Sequence, residues 1–122
     1  TIKSNEKLNQ QILFSNITKE ERELRIKLNE YRDKINSLSI KNKSFSELIL
    51  DYDTLLFNSY EYLAICIYRK LINESDAKLY FKIPLPSIKK IFDSSLLFEK
   101  KKAAKEEYPG IQWLFKRWNI NY

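Results

Sequence analysis

The chain has one glycine and three prolines in 122 residues: Gly110, and Pro84, Pro86 and Pro109. A sequence so poor in turn formers cannot supply the frequent tight reversals that a sheet protein needs, so it predicts long helices. With 43% hydrophobic residues the chain has enough apolar material for a packed core, and its length suits one domain of modest size. The expected class is all-α: a helical bundle with a long N-terminal amphipathic, coiled-coil-like helix. Residues 1–43 read as an N-terminal amphipathic region and residues 44–122 as the bundle proper.

Phe14, Ile17, Leu24, Leu28, Tyr31, Ile35 and Leu38 form one apolar seam. From Leu24 onward its spacing is 4, 3, 4, 3, the a/d pattern of a coiled coil. Glu21–Arg25, Glu23–Lys27 and Glu30–Lys34 are i,i+4 pairs with the acid first, the favourable order. Thr18 with Glu21 reads as a capping box, which would break a short leading helix from the rest near Asn16–Thr18. The seam serves either self-association or packing against the chain's own bundle. The polar stretch Ser37–Ser44 reads as a connector, and Ser44 with Glu47 as a second capping box.

A second long helix is expected from about Phe45 to Ile72, apolar around most of its circumference and therefore central in a bundle. Its one polar strip is Asp51, Thr54, Asn58, Glu61 and Arg69, facing either water or a polar group held inside the fold. Asn73 and Asp76 open a short helix over 75–81. Pro84 and Pro86 force a break and start another, carrying Ile88, Ile91, Phe92, Leu96 and Phe98. After Pro109-Gly110, the residues Ile111, Leu114, Phe115 and Trp118 fall at helical spacing, and two tryptophans suit a docked terminal helix.

Little in the sequence suggests catalysis. Histidine is absent, which removes the commonest general base and metal ligand. Cys66 lies between Ile65 and Ile67 and reads as a small core residue rather than a nucleophile. Asp51 with Asp53, or Glu61, are the only acids worth weighing, and two residues at i,i+2 on a helix point apart. No enzyme, cofactor, metal site or catalytic residue is therefore expected. The net charge of +6 points to nucleic acid or an anionic membrane surface, with Lys89, Lys90 and Lys100 to Lys102 as the basic residues to consider. An AT-rich genome would enrich lysine equally well.

Three short motifs stand out in residues 55–118. Phe57, Asn58, Glu61 and Ala64 form an L-N-x-x-E-type core helix, with phenylalanine in place of the leucine. Ile72, Glu74, Tyr80 and Phe81 form an I-[ND]-E short helix ending in two aromatics. Tyr108, Pro109, Trp113, Leu114 and Trp118 make a closing aromatic segment. With these motifs, residues 55–118 resemble a bacterial and phage family of helical domains of unknown function. The resemblance implies an N-terminal transmembrane helix ahead of a helical linker. It would make residues 1–40 juxtamembrane and place the domain on the cytoplasmic side of the bacterial inner membrane; a purely cytoplasmic protein is the alternative. The start at Thr1 and the absence of methionine agree with a removed anchor, and so does the basic bias of residues 1–43, ten Lys or Arg against six acids. No stretch of the chain itself approaches the ~20 apolar residues needed to span a bilayer.

The same resemblance suggests that Asn58 and Glu61 form a buried polar clamp. Its partners would be Arg117, the Trp118 indole N–H, or a free backbone group at the Pro84 or Pro109 break. The expected function is a protein-interaction or oligomerisation module, with a homo-oligomer or another protein as partner. A basic, helical nucleic-acid-binding protein is the alternative.

Overall fold

The computed structural model describes residues 2–38 and 43–122. It is an all-α helical bundle with a long N-terminal helix. In chain order the elements are α1 (Ile2–Ser37), α2 (Lys43–Tyr68), α3 (Glu74–Phe81), α4 (Leu85–Asp93), α5 (Leu96–Glu99), a 3-10 turn (Lys105–Glu107) and α6 (Pro109–Arg117). The connector predicted between the first two helices falls largely outside the described residues.

Helix α2 is the central rod, packing against α1, α4, α5 and α6. Helices α1 and α2 form an antiparallel hairpin: the Arg32 guanidinium donates to the Tyr52 hydroxyl near one end, and the Gln10 amide to the Lys70 carbonyl near the other. Before Gln10, residues 3–9 of α1 are exposed throughout. Phe57, fully buried, ties the short C-terminal elements to the rod. Its ring meets Phe92 edge-on at 5.1 Å, stacks on Phe98 at 5.8 Å and meets Tyr108 edge-on at 5.7 Å. Phe14 of α1 meets both Tyr80 and Phe81 of α3 edge-on.

The apolar seam of α1 turns inward. Ile17 and Leu28 are buried in the same core as α2 and α6, and Phe14 and Leu24 pack against it. Tyr31, Ile35 and Leu38 are half-buried toward the tip of the hairpin. The stripe spaced for self-association is thus largely consumed by the chain's own fold, since Ile17 and Leu28 of α1 share one core with the later helices. The a/d spacing suits an intramolecular hairpin as well as an intermolecular coil, because both bury one stripe of a helix.

Three expectations about helix boundaries are corrected. Helix α1 runs unbroken through Asn16–Thr18, and Thr18 Oγ1 donates back to the Ser15 carbonyl instead of capping. Glu21, the other half of that expected box, is buried and paired with Arg25. Its Oε2 is buried with no hydrogen-bond partner, a state that costs about 1–3 kcal/mol. The helix after the prolines splits at Ser94–Ser95, and Ser95 caps α5 by accepting from the Leu97 N–H.

Helix α2 stops at Tyr68, short of the expected Ile72, because the chain turns left-handed at Lys70 (φ 59°). The Lys70 N–H then reaches the Ile67 carbonyl and the Leu71 N–H the Cys66 carbonyl, a Schellman motif. The same pairing recurs after α5 at Lys101 and after α6 at Asn119. Glycine usually fills that position, but here two lysines and an asparagine do, and side-chain-bearing residues are strained there. Replacing Lys70 with glycine is expected to raise stability by about 1 kcal/mol, measured by urea denaturation. A midpoint that stays put or falls would contradict the strain.

Candidate functional site

Glu61, Ile65 and Tyr68 follow one another at i, i+4 and i+7, so α2 presents them along one face, and Arg69 just past its end continues it. Helix α6 lies against that face. Pro109 occupies its first turn and has no N–H to satisfy, which leaves the Gly110 and Ile111 N–H groups without partners inside the helix. Tyr108, at the N-cap, offers no side-chain cap. Glu61 supplies the cap from α2. Gly110 N–H donates to its Oε2 and Ile111 N–H to its Oε1, both at 2.8 Å. A carboxylate held across two adjacent amides also complements the positive end of the helix dipole.

This contact explains the single glycine. A Cβ at Gly110 would lie 2.5 Å from Glu61 Oε2, 3.0 Å from its Cδ and 3.2 Å from the Ala64 Cβ. The backbone reaches the carboxylate only because no side chain intervenes.

The far end of α6 is held by a second glutamate. Arg117 donates to Glu74 through Nε at 2.7 Å and Nη2 at 2.8 Å, and the Trp118 indole N–H donates to Glu74 Oε2 at 2.9 Å. The Arg117 and Trp118 hydrogen bonds hold the Glu74 carboxyl down at about 2. Arg117 also covers the Trp113 ring at 5.4 Å, and Tyr68 meets that ring edge-on at 5.2 Å.

The four residues expected to form one clamp therefore divide. Glu61 binds the backbone at the Pro109 break, one of the partners anticipated. Arg117 and Trp118 instead meet Glu74, because the length of α6 carries them away from Glu61. Asn58 is exposed, one turn earlier on α2, and takes no part in the lock. Asp51 and Asp53 separate as their spacing requires: Asp51 is exposed, while Asp53 is buried and accepts from the Ser95 hydroxyl. Burial pushes the Asp53 carboxyl up, partly offset by that hydroxyl. Burial likewise pushes the Cys66 thiol up, as suits a core cysteine. No group of three or more His, Cys, Asp or Glu able to hold a metal ion occurs among the described residues.

Between the outer face of α2 and the start of α6 lies a groove of about 370 Å³, with Ile65, Tyr68, Trp113, Pro109 and Gly110 as walls and Glu61 and Arg69 as its charged groups. No periodicity marks it in the sequence, since it joins residues forty or more positions apart. Its one legible signal was the Pro109-Gly110 pair beside tryptophan. Comparison with protein-family models, curated proteins and solved structures finds no match to this chain.

Gly110→Ala is expected to destabilise the fold by about 2 kcal/mol through the clash with Glu61. Glu61→Ala should cost a similar amount by stripping the cap, about 2 kcal/mol. The double variant should lose about 1 kcal/mol less than the sum, because removing the carboxylate makes room for the new methyl. Strict additivity in chemical denaturation would contradict the contact.

The Glu74 cluster predicts a pH dependence. Its native carboxyl titrates near 2, below the ordinary value of 4.5 it regains on unfolding. The contribution is complete above pH 4.5 and is lost as pH falls towards about 2, because the unfolded chain takes up the proton first. Glu74→Gln should flatten this part of the stability profile; an unchanged acid limb would contradict the assignment.

Proposed function

We propose that this chain is a helical protein-interaction module, forming the cytoplasmic part of a membrane-anchored bacterial or phage protein. The observation that carries the reading is the groove beside α6. Tyr68 remains 66% exposed there beside a half-buried tryptophan, with Ile65 of the same helix face also exposed. Large aromatics left at the mouth of a concave surface are typical of partner-binding sites. Leu79 and Ile83, 82% and 86% exposed at the α3–α4 corner, add to the apolar surface open to partners.

The membrane tether rests on the resemblance and on the basic flank of residues 1–43. No helix among the described residues is long and apolar enough to cross a membrane, so an anchor would lie outside them. Oligomerisation, if it is the mode of interaction, runs through the groove face, since the Phe14–Leu38 seam is largely occupied within the chain.

A photo-crosslinking residue in place of Tyr68, in the full-length protein in its own cells, tests the module. The reading expects a discrete adduct that weakens when Trp113 is replaced by alanine. It also expects no adduct from a crosslinker at exposed Glu23. No adduct from position 68, or equal adducts from both positions, would overturn it. Sedimentation of the purified chain then separates a second copy from another protein.

A further inference from the structure

We infer that the α2–α6 groove takes a linear acidic segment of a partner protein, an apolar side chain flanked by carboxylates; this rests on the interaction-module reading above. Three features of the groove define the chemistry. Its walls are apolar and aromatic: Ile65, Tyr68 and Trp113, with Pro109 behind them. They bound about 370 Å³, a volume that admits one large side chain with adjoining backbone.

The groove carries one charge of each sign, and the two differ in what they already bind. Glu61 has both oxygens bound to the Gly110 and Ile111 N–H groups, which hold its carboxylate against α6. Arg69, the residue that follows α2, is exposed and forms no ion pair among those found in the described residues. Arg117 lies over the Trp113 ring and is paired with Glu74. A ligand that places its apolar group against Tyr68 and Trp113 therefore meets an uncommitted guanidinium at the rim. A guanidinium selects carboxylates by paired N–H···O contacts. The net charge of +6 favours the same sign of partner during encounter.

The concavity distinguishes this occupant from an anionic lipid surface. A flat bilayer would meet the exposed Tyr68 but not the half-buried Trp113 on the groove wall. A peptide can enter it.

The test uses the purified chain and a dye-labelled, end-capped peptide with phenylalanine flanked by glutamates, followed by anisotropy. Binding is expected with a dissociation constant below about 1 mM, the range of a single short segment. It should weaken at least about tenfold with lysines in place of the glutamates, or alanine in place of phenylalanine, and should weaken with added salt. Arg69→Glu should weaken the acidic peptide by a similar factor and improve the lysine peptide; Arg69 is exposed, so this variant tests the rim without disturbing the core. No binding up to about 1 mM, equal binding of both peptides, or indifference to Arg69→Glu would overturn the inference. Vesicles with anionic lipid that bind through Arg69 as well as the peptide does would also overturn it. A crosslinked adduct from position 68 in cells, together with no response to acidic peptides, would sink the acidic segment alone and leave the module standing.

Discussion

A carboxylate bound across two neighbouring backbone amides sets where α6 begins. Helix first turns have N–H groups with no partner of their own, and a proline in the first turn removes the possibility of continuing upstream. Glu61 answers both remaining donors from another helix, so the start of α6 is pinned to one turn of α2. Glu74 pins the other end through Arg117 and Trp118. A nine-residue helix, too short to be stable alone, is held by an acid at each end and by the buried faces of Ile111, Leu114 and Phe115 between them. Its orientation places Trp113 beside Tyr68, and the groove follows from that.

The rest of the bundle is built on α2. Phe57 gathers Phe92, Phe98 and Tyr108 around one ring, joining α4, α5 and the approach to α6. On the opposite side, α1 lays its apolar stripe along the same rod. That docking carries a cost: Glu21 is taken out of water with one oxygen bonded to Arg25 and the other unmatched. Burying an imperfectly paired acid weakens a contact that apolar residues would make more cheaply. The burial of Ile17 and Leu28 has to offset it.

The helical class and the central place of α2 were legible because scarce breakers and a nearly all-round apolar helix leave few other folds. The cap at Asn73 and the start of α4 were also legible, being set by residues within one turn of themselves. The end of α2 was not, because a lysine occupies a left-handed position where a glycine would have marked the stop. The inward turn of the α1 seam was not decided, since a heptad stripe does not say which helix covers it. Glu61 could be singled out as an acid in apolar surroundings. Its partner could only be narrowed to a choice that included the Pro109 break. Glu74 was noticed as part of a motif, but its role in holding Arg117 and Trp118 depends on a contact spanning the C-terminal half of the chain.

The groove and its lock connect stability to recognition. Any change that releases the first turn of α6 also moves Trp113 and opens the wall that Tyr68 faces. Amide hydrogen exchange at Gly110 and Ile111 tests the central contact most directly, since first-turn amides of a helix ordinarily exchange fast. The lock predicts strong protection of both amides in the native chain and its loss in Glu61→Ala while α2 stays protected. Fast exchange at both positions in the unaltered protein would contradict it.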